Sequence, residues 1–403
     1  MKAFVFVVCG SREHVDTLNY SLRFIRHFSR YPIVVLTDPK RNEVPIVHNT
    51  IIEVETPEHF DHHQASIYLK TGIHKFLDMA PGNMYCYLDS DIVAISPEIN
   101  SIFDYFAEPI IFAPDHCLFD EFSPHAMNCG CLADTIRRNN QYKEVDAFFA
   151  QEFFKKPCNE EKKQELDSLF ATMNKPGITN TLYRFIYAFK RYLLPFASFR
   201  FGSFVFRRNT RMWFTAQGEY VGFDFKYYAR QLRRTTGLHF DAGTATWFNS
   251  AGENIMPRVA QCDHLRKYCL EKYNCSIPAD WNHCNGGVFL FNHRSIDFLD
   301  YWHRLTLEEF ADPRTKTRDQ ATLAVSMWKF GLQHTARLKK EFNFITEYDN
   351  TNTAWHPDKG FTYNGFNTVF TPYFLHIYHE WGHKGWSIWD YVEELVKEKL
   401  MKL

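Results

Sequence analysis

In Met84-Tyr85-Cys86-Tyr87-Leu88-Asp89-Ser90-Asp91-Ile92-Val93, an apolar and aromatic run ends in two carboxylates one residue apart. Such a run fits a strand buried on both faces, as in a parallel sheet. Ligands of parallel sheets bind at the carboxyl ends of the strands. In an extended segment, residues i and i+2 point the same way, so Asp89 and Asp91 are expected to reach one ion. Hard oxygen ligands suit Mn²⁺ or Mg²⁺, which also take oxygens from a substrate diphosphate. The ordinary alternative is a pair of solvated turn aspartates capping the next element.

Outward from this run the chain alternates strands and helices. Ala3 to Cys9 reads as a buried strand ending in Gly10-Ser11, and Val15, Leu18, Leu22 and Ile25 recur at helical spacing up to about Phe28. Ile33 to Leu36 is a second strand and Ile51 to Val54 a third, with a helix from Gln64 to Leu77. Ile110 to Ala113 is another strand. The pattern is lost between Asp115 and Ala279, then resumes with a strand at Val288 to Phe291 after Asn285-Gly286-Gly287. Helices follow at Ser295 to Leu307 and Asp319 to Phe330, then a strand at Phe374 to Tyr378 and a terminal helix from Trp389 to Leu403. This order predicts an α/β fold with a mostly parallel central sheet flanked by helices. The expected parts are a core segment 1–114, a large and mainly helical insertion 115–279, a second core segment 280–386 and a terminal helix 387–403.

The 403 residues carry 46 basic and 47 acidic side chains, a balance that argues against a nucleic-acid binder. Apolar residues at 45% exclude a disordered chain, and no stretch approaches the roughly 18 apolar residues of a spanning helix. The apolar start of the chain reads as a strand, since Arg12-Glu13 stands where a signal peptide would be cleaved. The ten cysteines show no C-x-x-C pair, although Cys129 and Cys131 are one residue apart. Reduced thiols in the cytosol are the simplest reading, and the spacings of Cys262, Cys269, Cys275 and Cys284 are irregular for a zinc site. His59, His62 and His63 read as a solvated polar loop. Aromatic residues reach 17%, explained either by a phenylalanine-rich core or by a surface that meets sugars or lipid.

The Met84–Val93 run resembles the hhhYLDxDhhh signature of nucleotide-sugar-dependent glycosyltransferases of the GT-A fold. The nearest resemblance is to glycosyltransferase family 8, which includes glycogenin and bacterial lipopolysaccharide glycosyltransferases. Asn285-Gly-Gly-Val-Phe-Leu-Phe-Asn292 is similar to the family's N-x-G segment, Asp319-Gln320 to its D-Q pair and Phe342-Asn343 to its W/F-N element. His376-Ile-Tyr-His-Glu-Trp-Gly-His-Lys-Gly-Trp386 resembles its terminal H-x-x-G-x-x-K-P-W. The match covers residues 1–114 and 280–386. Lys384-Gly385-Trp386 departs from it, with Gly where the family has Pro and a gap from Gly382 one residue short.

The resemblance implies a metal-dependent transfer of a sugar from a nucleotide-sugar donor, of the UDP type, to a glycan or lipid-linked acceptor. The departing diphosphate must have its charge masked, which a divalent ion does. Asp89 would touch ribose and metal, Asp91 would bind the metal, and His379 or His376 would complete the metal site. Lys384 would contact the diphosphate. Gly10, Ser11 and Asp38 stand where the fold holds base and ribose. Lys70 resembles the family's basic residue on the helix before the D-x-D, and Ser90 and Gly286 belong to the same donor-binding set. Asn285, Asp319 and Gln320 would face the donor sugar, although a helix cap alone explains Asp319. The family retains anomeric configuration, which would set Gln320 behind the anomeric carbon. An amide is a poor nucleophile, so internal return is expected there.

Within the insertion, Ser168 to Gln217 holds no acidic residue, while Lys175, Arg184, Lys190, Arg191, Arg200, Arg207, Arg208 and Arg211 are basic. Leu182, Phe185, Ile186, Phe189 and Leu193 recur at helical spacing among them, giving a basic amphipathic helix. It is expected either to lie on an anionic membrane surface or to pack its apolar face on the core, with arginines paired to the acidic stretch near Asn159–Asp167. The first reading suits a lipid-linked acceptor of cell-surface polysaccharide synthesis and a cytoplasmic protein peripheral to the inner membrane face. Competing readings are a nucleotidyltransferase, for which Cys9-Gly-Ser-Arg12 is too slight a loop, and a non-catalytic sugar- or lipid-binding module.

Overall fold

Alternation of side chains about one central strand organises the larger part of the molecule. Phe4 and Phe6 of β1 (Lys2–Val7) enter one apolar layer, and Ala3, Val5 and Val7 enter the other, as the two-residue period of a strand requires. The computed structural model describes residues 1–151, 157–316, 319–346, 353–363, 368–378 and 381–400. After β1 come α1 (Arg12–Phe28), β2 (Ile33–Thr37), β3 (Ile51–Glu53), α2 (His62–Thr71), β4 (Met84–Leu88), β5 (Ile92–Ala94), β6 (Ile110–Leu118), α3 (Phe119–Ala126) and α4 (Cys131–Phe149). There follow α5 (Glu160–Met173), α6 (Ile178–Tyr192), β7 (Ser198–Phe201), β8 (Phe204–Arg207), β9 (Met212–Thr215), β10 (Tyr220–Phe223), α7 (Phe225–Thr236), β11 (His239–Asp241) and β12 (Thr246–Phe248). The last elements are α8 (His264–Tyr273), β13 (Asn282–Asn292), α9 (Ile296–Glu309), α10 (Asp319–Lys329), β14 (Phe344–Thr346), β15 (Ala354–His356), β16 (Gly360–Tyr363), β17 (Thr368–Phe370), β18 (Phe374–Ile377) and α11 (Ser387–Leu395).

The main sheet runs β3-β2-β1-β4-β13-β6. Its first four strands are parallel, and β13 is antiparallel to both β4 and β6. This is an α/β architecture with a parallel-rich central sheet and flanking helices, as the order of elements in the sequence predicts. The order reverses between β1 and β4, so the carboxyl ends of these strands open onto a switch point where open α/β sheets bind ligands. A second sheet, β14-β18-β5, pairs His376 with Ile92, which brings β18 beside the D-x-D segment. Many of the phenylalanines that enrich the chain line the two layers beside the main sheet, among them Phe4, Phe24, Phe112, Phe289 and Phe298.

Several boundaries differ from those read in the sequence. The α2 helix begins at His62 because Asp61 accepts from the Gln64 amide while Gln64 returns a bond to the Asp61 amide. It ends at Thr71, before Gly72, whose missing side chain leaves room for the His303 ring. The strand expected at Val288 extends back to Asn282, because β6 continues beyond Ala113 and pairs with it through two irregular registers. Asn285, Gly286 and Gly287 therefore lie inside β13 and not in a loop before it.

The chain divides into two compact units, one of residues 1–132 and 261–403 and the other of 133–260. The break expected at 115–279 is thus narrower, since β6, α3 and α8 pack in the larger unit. The smaller unit holds more helix than strand, as expected, in α4, α5, α6 and α7. It carries the antiparallel sheet β10-β9-β8-β7 and the β11-β12 hairpin beside its helices. The alternation of Phe199, Phe201, Phe204 and Phe206 about Gly202-Ser203 is the sequence signal for that sheet, with Gly202 at φ +60° in the turn. No helix among the described residues is long and apolar enough to cross a membrane.

His283, in β13, is fully buried and stacks on Phe122 at 4.6 Å, and neither ring nitrogen has a hydrogen-bond partner. Burial pushes its pKa down from 6.5 to about 4. The unfolded chain binds a proton below 6.5 that the native ring declines, so stability present above 6.5 is lost as pH falls toward 4. The slope contributed is about 1.4 kcal/mol per pH unit. Urea unfolding across this window should give a shallower pH dependence for His283→Leu than for the wild type, and equal slopes would contradict the assignment.

Candidate active site

The two aspartates that end β4 converge through a turn. Asp89 carbonyl accepts from the Ile92 amide at 3.3 Å, so the segment is bent and not extended as its i, i+2 spacing suggested. The bend is pinned on both sides, by the Gly287 carbonyl accepting from the Asp89 amide at 2.9 Å and the Asp91 carbonyl accepting from the Ile377 amide at 3.0 Å. The Ser90 carbonyl accepts from the Ser21 hydroxyl at 2.7 Å, which anchors the same turn to α1.

His376 projects from β18 into this turn. One ligand atom each from Asp89, Asp91 and His376 lies within 4.8 Å of the others, a separation that one divalent ion can span. The His376 Nδ1 is 2.8 Å from Asn343 Oδ1, an atom that only accepts, so Nδ1 carries the proton and Nε2 faces Asp91 Oδ1 at 3.4 Å. Asp91 Oδ1 is buried and accepts no hydrogen bond. A carboxylate oxygen left in this way is what a cation would satisfy.

Lys70 supplies the fixed positive charge. It is buried, with Nζ 2.9 Å from Asp319 Oδ2 and 3.3 Å from Asp89 Oδ1, and 5.3 Å from the centre of the Tyr87 ring. Burial opposes its charge, but the two carboxylates outweigh it and hold the ammonium above its ordinary pKa. The Tyr87 hydroxyl donates to Asp89 at 2.6 Å. Burial and the neighbouring Asp91 charge push the Asp89 pKa up against Lys70. Burial acts on Asp91 too, yet the facing His376 ring pulls its pKa below the carboxylate range. The same contact lifts His376 above its ordinary value against the cost of burial.

The strand β13 forms the other wall. Asn285 is buried, donates to Asp115 Oδ2 at 3.0 Å and accepts from the Gly287 amide at 2.8 Å. Gln320, at the start of α10, accepts from the Gly286 amide at 3.1 Å. A side chain on Gly287 would stand 2.7 Å from His376 Cε1 and 2.8 Å from Asp89 Oδ2, so only glycine lets β13 approach. At Gly286 a side chain would come only to ordinary contact distance of Asp319 and Lys70.

The other candidates lie apart from this cluster in their bonding. Gly10, at φ +121°, would meet His62 Cβ at 2.8 Å if it carried a side chain, and its amide donates to Asn42. Ser11 precedes α1 without a side-chain capping bond, its hydroxyl 3.3 Å from His14 Nδ1. Asp38 is buried and accepts from the Lys40 and Thr56 amides and the Thr56 hydroxyl, beside Arg41. Burial opposes its charge, and these donors together hold its pKa below the usual range. Lys384 is exposed after β18, and His379 lies outside the described residues. Asp115, Tyr87, Gly287 and Asn343 were not singled out as site residues in the sequence. Tyr87 and Gly287 stood within the Y-L-D-x-D and N-x-G segments and Asn343 within the Phe342-Asn343 pair, whereas Asp115 carried no signal.

No protein-family profile matches this chain, and no curated protein sequence does. Among solved structures, the apo bifunctional glycosyltransferase WbbM aligns over 99% of this chain and 50% of that one, with 11% identity and a TM-score of 0.40. Apo mouse xyloside xylosyltransferase 1 aligns over 93% and 97%, with 9% identity and a TM-score of 0.36. The glycosyltransferase GlyE of Streptococcus pneumoniae aligns over 29% and 30%, with 14% identity and a TM-score of 0.21. The chain therefore spans half the length of the WbbM chain and less than a third of GlyE.

Asn343 orients a ring without facing the turn itself. Asn343→Ala should weaken Mn²⁺ binding about 10–100-fold in calorimetric titration while leaving the unfolding midpoint nearly unchanged. Unaltered Mn²⁺ affinity would remove His376 from the proposed ligand set.

Proposed function

We propose that the protein is a metal-dependent glycosyltransferase that takes a sugar from a nucleotide-sugar donor, of the UDP class, and passes it to a glycan or lipid-linked acceptor. The observation that carries this reading is the convergence of Asp89, Asp91 and His376 beside buried Lys70, at the point where strand order reverses. Asp89, Asp91 and His376 would hold Mn²⁺ or Mg²⁺, whose chemistry is to mask the charge of the leaving diphosphate. Lys70 fixes the orientation of Asp89 and Asp319, so the carboxylates are set before a donor arrives. Asn285 and Gly286 line the side on which the donor sugar would rest, and Gln320 is held there by the Gly286 amide. Retention follows from the family resemblance, with Gln320 a positioning group and not a nucleophile. Gly10, Ser11, Asp38 and Ser90 are assigned to base and ribose, and Lys384 to the diphosphate, on the same resemblance.

We extend the proposal to a lipid surface, because α6 is turned inside out. Tyr187 packs inward on Phe170 and Phe201 at 5.4 and 5.0 Å, and Arg191 pairs with Asp224. The apolar stripe faces the other way, with Ile178, Phe185 and Leu193 exposed by 93%, 68% and 71%. Arg184 is exposed beside that stripe, and no acid occurs from Ser168 to Gln217. An exposed apolar ridge edged with cations complements an anionic bilayer, where each basic residue near the surface contributes about 1 kcal/mol.

Two measurements test these readings. Purified protein with Mn²⁺ and a panel of UDP- and GDP-sugars should slowly hydrolyse one donor, and Asp91→Ala should lose Mn²⁺-dependent UDP binding by about 100-fold or more. UDP binding that is equal in chelator and in Mn²⁺ would overturn the enzymatic reading. Separately, the protein should co-sediment with phosphatidylglycerol vesicles at low salt, less at high salt, and less again as Phe185→Ser. Absence of binding at low salt would refute the membrane reading and leave the enzymatic one standing.

A further inference from the structure

Three cysteines and a histidine that no part of the proposed reaction uses meet at one point of the larger unit. One ligand atom each from Cys129, Cys131, Cys262 and His264 lies within 4.8 Å of all the others. Cys129 Sγ is 3.8 Å from Cys262 Sγ, and Cys131 Sγ is 3.8 Å from His264 Nδ1. Zinc–sulfur bonds of about 2.3 Å and zinc–nitrogen bonds of about 2.0 Å at tetrahedral angles set two sulfurs about 3.8 Å apart and a sulfur and nitrogen about 3.5 Å apart. The first separation therefore matches such an edge and the second comes close to one. They are much too long for a disulfide, and all four sites are present as thiols or imidazole. We propose that Cys129, Cys131, Cys262 and His264 form a structural zinc site.

The local fold brings these four ligands to a common centre. Gly130, at φ +76°, supplies the left-handed turn that lets Cys129 and Cys131 aim at a common centre. Cys131 opens α4 and His264 opens α8, so two ligands sit at helix N-termini, electropositive ends. The Leu265 amide donates to Ser123 Oγ at 2.9 Å, which leaves the Ser123 hydroxyl proton for Cys262 Sγ at 3.1 Å. Such second hydrogen bonds orient metal ligands. Soft sulfur and imidazole donors in four-coordinate array select zinc, in contrast to the harder oxygens of Asp89 and Asp91.

The position in the chain suggests the purpose. The larger unit ends at Leu132 and resumes at Gln261, so two ligands precede the inserted unit and two follow it. A metal here joins the departing and returning segments, which otherwise lie 133 positions apart at Cys131 and His264. The four cysteines whose spacing the sequence weighed, Cys262, Cys269, Cys275 and Cys284, form no such cluster among the described residues; only Cys262 takes part.

The untagged full-length protein, grown with zinc and gel-filtered, should contain one zinc per chain by mass spectrometric metal analysis. Cys131→Ser and His264→Ala should lower this to near zero, whereas Asp91→Ala should leave it unchanged. X-ray absorption at the zinc edge of the wild-type protein should show a shell of three sulfurs and one nitrogen, a readout independent of how the variants fold. Zinc-free wild-type protein, a Cys129–Cys262 disulfide in non-reducing peptide mapping, or a zinc shell without sulfur would each overturn the proposal.

Discussion

A buried ammonium shared by two carboxylates governs this molecule's central site. Lys70 touches Asp89 and Asp319 from a position closed to solvent. Removing ions from water costs several kcal/mol each, and that cost is recovered only where opposite charges meet in good geometry. The three groups come from α2, the end of β4 and the start of α10, so their pairing ties together elements far apart in the chain. One positive charge is not enough for the acids gathered there. Asp91 answers instead to His376, and the opposite shifts of Asp89 and Asp91 follow from that unequal sharing.

Close backbone approach is the second constraint. The turn at Asp89–Asp91 can bond to β13 only because Gly287 has no side chain between Asp89 and His376. Asn285 reaches back to Asp115 and forward to the Gly287 amide, which stiffens the strand at its least regular register. Rigidity of this kind is what a transfer reaction needs, since reacting groups must be held before the substrate enters.

The two units distribute different tasks. The larger unit holds the sheet, the acidic turn and the sulfur cluster. In the smaller unit an antiparallel sheet and its helices bury Phe199, Phe206 and Trp213 while α6 leaves its own apolar stripe outside. Helices normally bury such a stripe. Here Tyr187 and Arg191 supply the packing, and the stripe stays exposed.

Much of this was legible in the chain itself. The run from Met84 to Leu88 appears as a strand with those bounds, because a short, wholly apolar segment has no other stable place than a sheet interior. Spacing likewise found α1 and the basic helix, since periodicity is a local property. Tertiary structure alone decided the partners. Asn343 beneath His376, Asp115 against Asn285, and the meeting of Cys129-Gly-Cys131 with Cys262-Asp-His264 all join segments far apart in sequence, whose proximity no local pattern encodes. Which face of α6 turns inward was equally beyond reach, because an amphipathic pattern identifies two faces and only packing selects between them.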